Sequence, residues 1–88
     1  MADVVVRAEA RADMVAIYAN GVAQFGEDAA RSYMRGIDQA LSRLVGHPLI
    51  GPAYPGLRSS IRYLACRRHH IFYDFDGTTV WVLSLIHI

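Results

Sequence analysis

The chain has 88 residues, 53% of them hydrophobic and 10% aromatic, with a formal net charge of +1. That length fits one domain over 1–88 with a real core, although a chain this short buries only about 60–65% of the surface it exposes on unfolding. Cys66 is alone, which excludes an intrachain disulfide; no Cys/His spacing suggests a metal, and no stretch nears the ~18 apolar residues of a membrane span.

A small domain without these props leans on a partner protein. The first residues, Met1 to Arg7, lack the basic region and long apolar stretch of a secretion signal, so a cytoplasmic domain with no metal and no cofactor is expected. Charge is unevenly spread. Residues 1–40 carry four Arg against six acids, and residues 41–88 carry five Arg against two. This is a mild basic bias toward the C-terminal half, short of a nucleic-acid-binding tail. All nine basic residues are Arg, which a genome favouring Arg codons explains as well as a demand for guanidinium chemistry.

Three valines within residues 2–7 suit a short strand. From Ala8 the texture turns helical, and Met14, Ile17, Tyr18, Gly21, Val22 and Phe25 mark one stripe of a helix that Gly26 ends. Glu27 and Asp28 open a second helix, with Ala30, Tyr33, Ile37, Leu41 and Leu44 as its stripe and Gly46 and Pro48 closing it. One glycine between two helices predicts an antiparallel hairpin. Residues 46–56, rich in Gly and Pro, form the long loop.

Beyond the loop the period changes to two. A strand at 58–65, with Ile61, Tyr63 and Ala65 on one face, leads through a turn at Cys66-Arg67-Arg68 to His70–Phe75 and, after Asp76-Gly77, to Thr78–Ile86. The order β-α-α-β-β-β describes an α+β fold, a helical hairpin packed on one face of a mainly antiparallel sheet. With Asp76-Gly77 as the two turn residues, Phe75 faces Thr78 and Phe72 faces Trp81. Ile71, Tyr73, Val80, Val82 and Ile86 then share one face; His70, Phe72, Trp81, Leu83, Leu85 and His87 share the other. Both faces are apolar and the chain holds one pair of helices, so the second face is expected to be open to a partner.

The order of elements and several strings resemble the RelE/ParE toxin superfamily, nearest its ParE branch. The strings are Ala12-Asp13-Met14 with Ile17-Tyr18, Tyr33 with Ala40-Leu41 and Leu44, Pro48 with Gly51, Gly56-Leu57-Arg58, Arg68-His69-His70-Ile71-Phe72-Tyr73, and the closing Val80–His87. Their order and spacing carry the likeness, over nearly the whole chain. The resemblance implies the toxin half of a toxin–antitoxin pair, with a cognate antitoxin as partner. For the ParE branch it implies DNA gyrase as a target reached by binding alone; for the RelE branch, ribosome-dependent mRNA cleavage. Such toxins run several residues past the closing His, whereas this sequence stops at Ile88; if toxicity resides in that tail, this chain folds and binds antitoxin but poisons nothing.

RNA cleavage through the 2′-OH needs a base, a cation for the phosphorane and an acid for the leaving oxygen. The RelE strand arginine is replaced here by His70, and Arg58, Arg62, Arg67, Arg68, Tyr73 and His87 are the other candidates, with Arg58, Arg68, His70 and His87 the foremost. Arg67 and Arg68 read sooner as solvated turn charges than as phosphate clamps, Tyr73 as core, and Cys66 as a turn residue without an activator. His69 and His70, being adjacent, point to opposite sides of a strand and cannot share one metal. For partner binding the expected residues are Arg58, Arg62, Phe72, Trp81, Leu83 and Leu85, with Trp81 packing on Phe72 or anchoring an antitoxin, and Arg58 forming a bidentate pair or an intrachain pair with a helix acid.

Overall fold

The computed structural model describes residues 1–58 and 60–88. Its elements are β1 (Asp3–Val6), α1 (Ala8–Phe25), α2 (Glu27–Gly46), β2 (Ile61–Cys66), β3 (His69–Phe75) and β4 (Thr79–His87). The expected strand start at 58–65 includes Ser59, which lies outside the described residues. The sheet order is β1-β4-β3-β2, with β1 parallel to β4 and the other pairs antiparallel. Both helices lie on one face, so the expected α+β architecture is the observed one.

Gly26 joins the helices by itself, at φ 89°, a left-handed region that a side chain would strain. The hairpin closes tightly above it, where a Cβ on Gly21 would stand 3.2 Å from the Cβ of Ala30. Ile37 and Leu44 of α2 pack on Ile71, Tyr73, Val80 and Val82, all fully buried. Only Ala10 of α1 is buried, and Phe25, assigned to its apolar stripe, is 66% exposed. Phe25 is the last residue of α1, at the tip of the hairpin, where it borders a groove that Arg67, Arg68 and His87 also line.

The β3–β4 register differs from the expected one. Phe75 pairs with Val80, Asp74 with Trp81 and Tyr73 with Val82. Asp76 pairs across to Thr79 (N···O 3.2 Å), which moves the turn one residue along the chain, onto Gly77-Thr78. The side chain of Asp76 makes this turn: Oδ1 accepts from the amides of Thr78 (2.9 Å) and Thr79 (2.7 Å), and Oδ2 from the Trp81 indole (3.0 Å). These donors, the Thr79 amide first, hold its carboxyl below the usual range. A second shift follows, because Phe72 pairs with Ser84 and leaves Leu83 as the extra residue of a bulge.

The bulge reverses the facing of everything after it. Leu85 pairs with Ile71 and is 5% exposed in the core, which corrects its expected place on the open face; Ile86, expected in the core, faces outward at 52% exposure. His87 moves to the helix side, opposite His69. Trp81 stands across from Asp74 instead of Phe72. Past the end of β1, the amide of Leu85 is met by Asp13 Oδ2 of α1 at 2.9 Å, which gives the Asp of the Ala12-Asp13-Met14 string its structural role.

The long loop is pinned just as firmly. The Gly51 amide donates to the Tyr73 hydroxyl (3.0 Å), and Arg62 donates to the carbonyl of Gly51 (2.7 Å). A Cβ on Gly51 would lie 2.1 Å from the Tyr63 carbonyl oxygen, a backbone atom that cannot yield. Gly51→Ala is therefore expected to cost about 1–3 kcal/mol or more by urea unfolding. Asp13→Ala, which leaves the Leu85 amide without its acceptor, should cost about 1–3 kcal/mol in the same measurement.

Candidate functional site

Ile61, Tyr63 and Ala65 of β2 pair with Asp74, Phe72 and His70 of β3 on the side away from the helices. This side is not left bare, a correction to the expectation that nothing in the chain could cover it. The loop bends around the edge of β2, the Tyr54 amide donating to the Ile61 carbonyl, and lays Tyr54 on the sheet. Its ring meets Phe72 at 4.9 Å and Tyr63 at 5.2 Å, both edge-on, and Tyr63 meets His70 at 4.7 Å. The β1–β4 half keeps its apolar surface: Trp81 and Leu83 are half-buried, and Val5 and Ile86 are exposed. Arg7 holds its guanidinium 5.8 Å from the Trp81 ring, and Asp76 fixes the indole from the other end.

Of the expected partner-binding residues, Phe72, Trp81 and Leu83 share this face. Arg62 does not: its register partner is Tyr73, on the helix side, and its guanidinium is engaged by the Gly51 and Leu49 carbonyls. Arg58 is exposed in the loop after Gly56, and its carbonyl accepts from the Ile61 amide. Among the described residues the one salt bridge is Arg31–Glu27, so the intrachain acid pair considered for Arg58 is absent there.

Of the groups considered for RNA cleavage, Arg67, Arg68 and His87 border one groove, and His70 is apart from them. His70 lies among Tyr54, Tyr63 and Phe72 on the open side, while Arg68 and His87 border a groove on the helix side. His69 points opposite to His70, as adjacent strand residues must. Its Nδ1 is 2.5 Å from the Tyr33 hydroxyl, which itself accepts from the Arg68 amide (3.1 Å) and so is free to donate to the imidazole. The His87 ring stands 5.3 Å away, edge-on. Among the described residues no three His, Cys, Asp or Glu side chains form a metal-binding group. Tyr73 is fully buried, and burial raises its phenol pKa despite the Gly51 amide. Cys66 ends β2 and is 7% exposed; burial pushes its thiol up, against the nearby Arg67, so it is no nucleophile.

Sequence reasoning missed the seat of Arg67. Its guanidinium lies 5.3 Å from the Tyr33 ring and against Gly36, where a Cβ would come 2.9 Å from Nε. A glycine in mid-helix, which costs about 1 kcal/mol against alanine, was the available signal.

A sequence profile of the ParE toxin of type II toxin–antitoxin systems, parDE, matches residues 4–87. The chain belongs to the ParE toxin family. Toxin ParE1 of Mycobacterium tuberculosis, from strains CDC 1551 / Oshkosh and ATCC 25618 / H37Rv, is 32% identical to it over 65 residues. That match covers 73% of this chain and 66% of the relative, a little under two thirds of its length. A solved structure of the chromosomal ParDE TA system from P. aeruginosa shares the fold, with TM-score 0.86 at 20% identity over 100% of this chain and 97% of that chain. The superfamily and branch inferred from the strings are thus the observed ones. Among the described residues no helix is long and apolar enough to cross a membrane.

Burial, then the charge of His87, lowers the His69 pKa, while Asp13 opposes them. The folded chain therefore takes up this proton less readily than the unfolded one, whose His titrates near 6.5. Stability should be full above about pH 6.5 and fall as the pH drops through that value. Urea unfolding at a series of pH values should show this slope, and His69→Gln should flatten it.

Proposed function

We propose that this ParE-family toxin acts by binding, with DNA gyrase as its target and a cognate antitoxin as the partner that neutralises it. The observation that carries the reading is the division of the groups an RNA-cleaving toxin would need. His70, at the place of the RelE strand arginine, is on one side of the sheet, Arg67, Arg68, His69 and His87 are on the other, and the chain has no lysine to add to either set. What stays outward is a binding surface: Trp81 and Leu83, with Phe72 and Tyr54 beside them. Large aromatic side chains held in place offer contact area at small cost in conformational entropy, and Trp81 is held by Asp76 and Arg7. Leu85, buried in the core, leaves the partner set, and the exposed Ile86, opposite His70, takes its place. Arg58 remains available to a partner carboxylate. Gyrase as the target rests on membership of the ParE branch, and an antitoxin on the pairing of toxin and antitoxin that defines these systems.

Induced expression should arrest growth with an SOS response, and co-expression of a cognate antitoxin should restore it. Trp81→Ser should weaken capture of gyrase about tenfold or more while the circular-dichroism melt shows the fold retained. Messenger RNA cut in the ribosomal A site without an SOS response would overturn the reading in favour of a ribonuclease. Growth without arrest would reduce the chain to an antitoxin-binding module.

A further inference from the structure

A groove of about 560 Å³ lies between the tip of the helical hairpin and the β2–β3 turn. Arg67, Arg68, His69 and His87 border it on one side; Ile17, Phe25 and Ala29 border it on the other, and no Asp or Glu is among the described residues that line it. We infer that this groove binds a phosphomonoester carried on a flat apolar body, the chemistry of a nucleotide. Its volume lies in the range of small-molecule sites, and it joins an apolar wall to a few converging polar groups, as such sites do.

The cationic side is prepared before any ligand arrives. Neither guanidinium has a carboxylate partner among the described residues. Arg67 is held on the Tyr33 ring, with Gly36 making room for it. It also sits at φ 54° in a two-residue hairpin turn, a left-handed position where glycine or asparagine would be at ease. An arginine kept at a strained backbone position beside a groove points to a use for its charge. Tyr33, donating to Nδ1 of His69, leaves the Nε2 proton of that ring as a further donor. Asp13, the acid His69 senses, has one carboxylate oxygen engaged on the Leu85 amide. Two guanidiniums and two imidazoles suit a dianion better than a single carboxylate. The apolar wall supplies a reason for Phe25, a large aromatic exposed at the hairpin tip. The groove is on the helix side of the sheet, away from the binding face proposed above, so the titration below reads it without involving that face.

The test is an amide NMR titration of the full 88-residue chain with adenosine 5′-monophosphate, inorganic phosphate and adenosine. The monophosphate should saturate at least about tenfold more tightly than either fragment, shifting the amides of Ala29, Tyr33, Arg68 and His69. Arg68→Gln, a change at an exposed position, should weaken that binding about tenfold with the melting temperature unchanged. Phe25→Ala should weaken the monophosphate but not inorganic phosphate. The absence of saturable shifts, equal binding of inorganic phosphate and the monophosphate, or full binding by the Arg68→Gln chain would each overturn the proposal.

Discussion

The pairing of β3 with β4 decides what each side of this sheet presents, and two carboxylates hold it. Asp76 gathers two amides and an indole at the turn and so chooses which residue begins β4's ladder. Asp13, reaching from α1, takes the Leu85 amide beyond the bulge at Leu83. Between them they set the parity of the last strand. Val80 and Val82 face the helices, Trp81 faces away, and past the bulge Leu85 turns in while Ile86 turns out. A slip of one residue would exchange the two faces. The same parity brings His87 opposite His69, and so makes the basic side of the groove.

The loop performs a comparable service for the other half of the sheet. Tyr73, at the centre of the core, lends its hydroxyl to the Gly51 amide, and Arg62 holds the Gly51 carbonyl. A phenol and a guanidinium that sequence patterns offer to a partner or an active site are thereby engaged within the fold. Their effect is to bring Tyr54 over Phe72 and Tyr63, so that the open face is divided into a half covered by the chain and a half left apolar along β1 and β4. A wholly bare apolar sheet would associate without discrimination, and covering half of it leaves an apolar face of limited extent and fixed shape.

On the helix side, the hairpin tip carries Phe25 and the β2–β3 turn carries Arg67 and Arg68, and the groove lies between them. Gly36 lets a charged side chain lie flat on α2, and Tyr33 serves three groups at once: the Arg67 guanidinium, the Arg68 amide and the His69 ring. This arrangement ties the β2–β3 turn to α2 on the basic side of the groove.

Helical and strand periodicity, the Gly26 stop and the Gly/Pro loop sufficed to read the element order, the hairpin and the α+β architecture directly from the residues, because each is a local preference repeated over many positions. The alternation of Ile61, Tyr63 and Ala65, the opposed His69 and His70, and the ParE-like strings were legible for the same reason. Leu85, Ile86 and His87 were not, since a bulge is a single-residue event with no periodic trace and its partner, Asp13, is 72 positions away. The seats of Arg62, Arg67 and Tyr54 were equally hidden: each depends on a glycine or a tyrosine brought near by packing. Local sequence determined which segments fold and how they alternate; long-range hydrogen bonds and close backbone approach decided which side each chemical group finally serves.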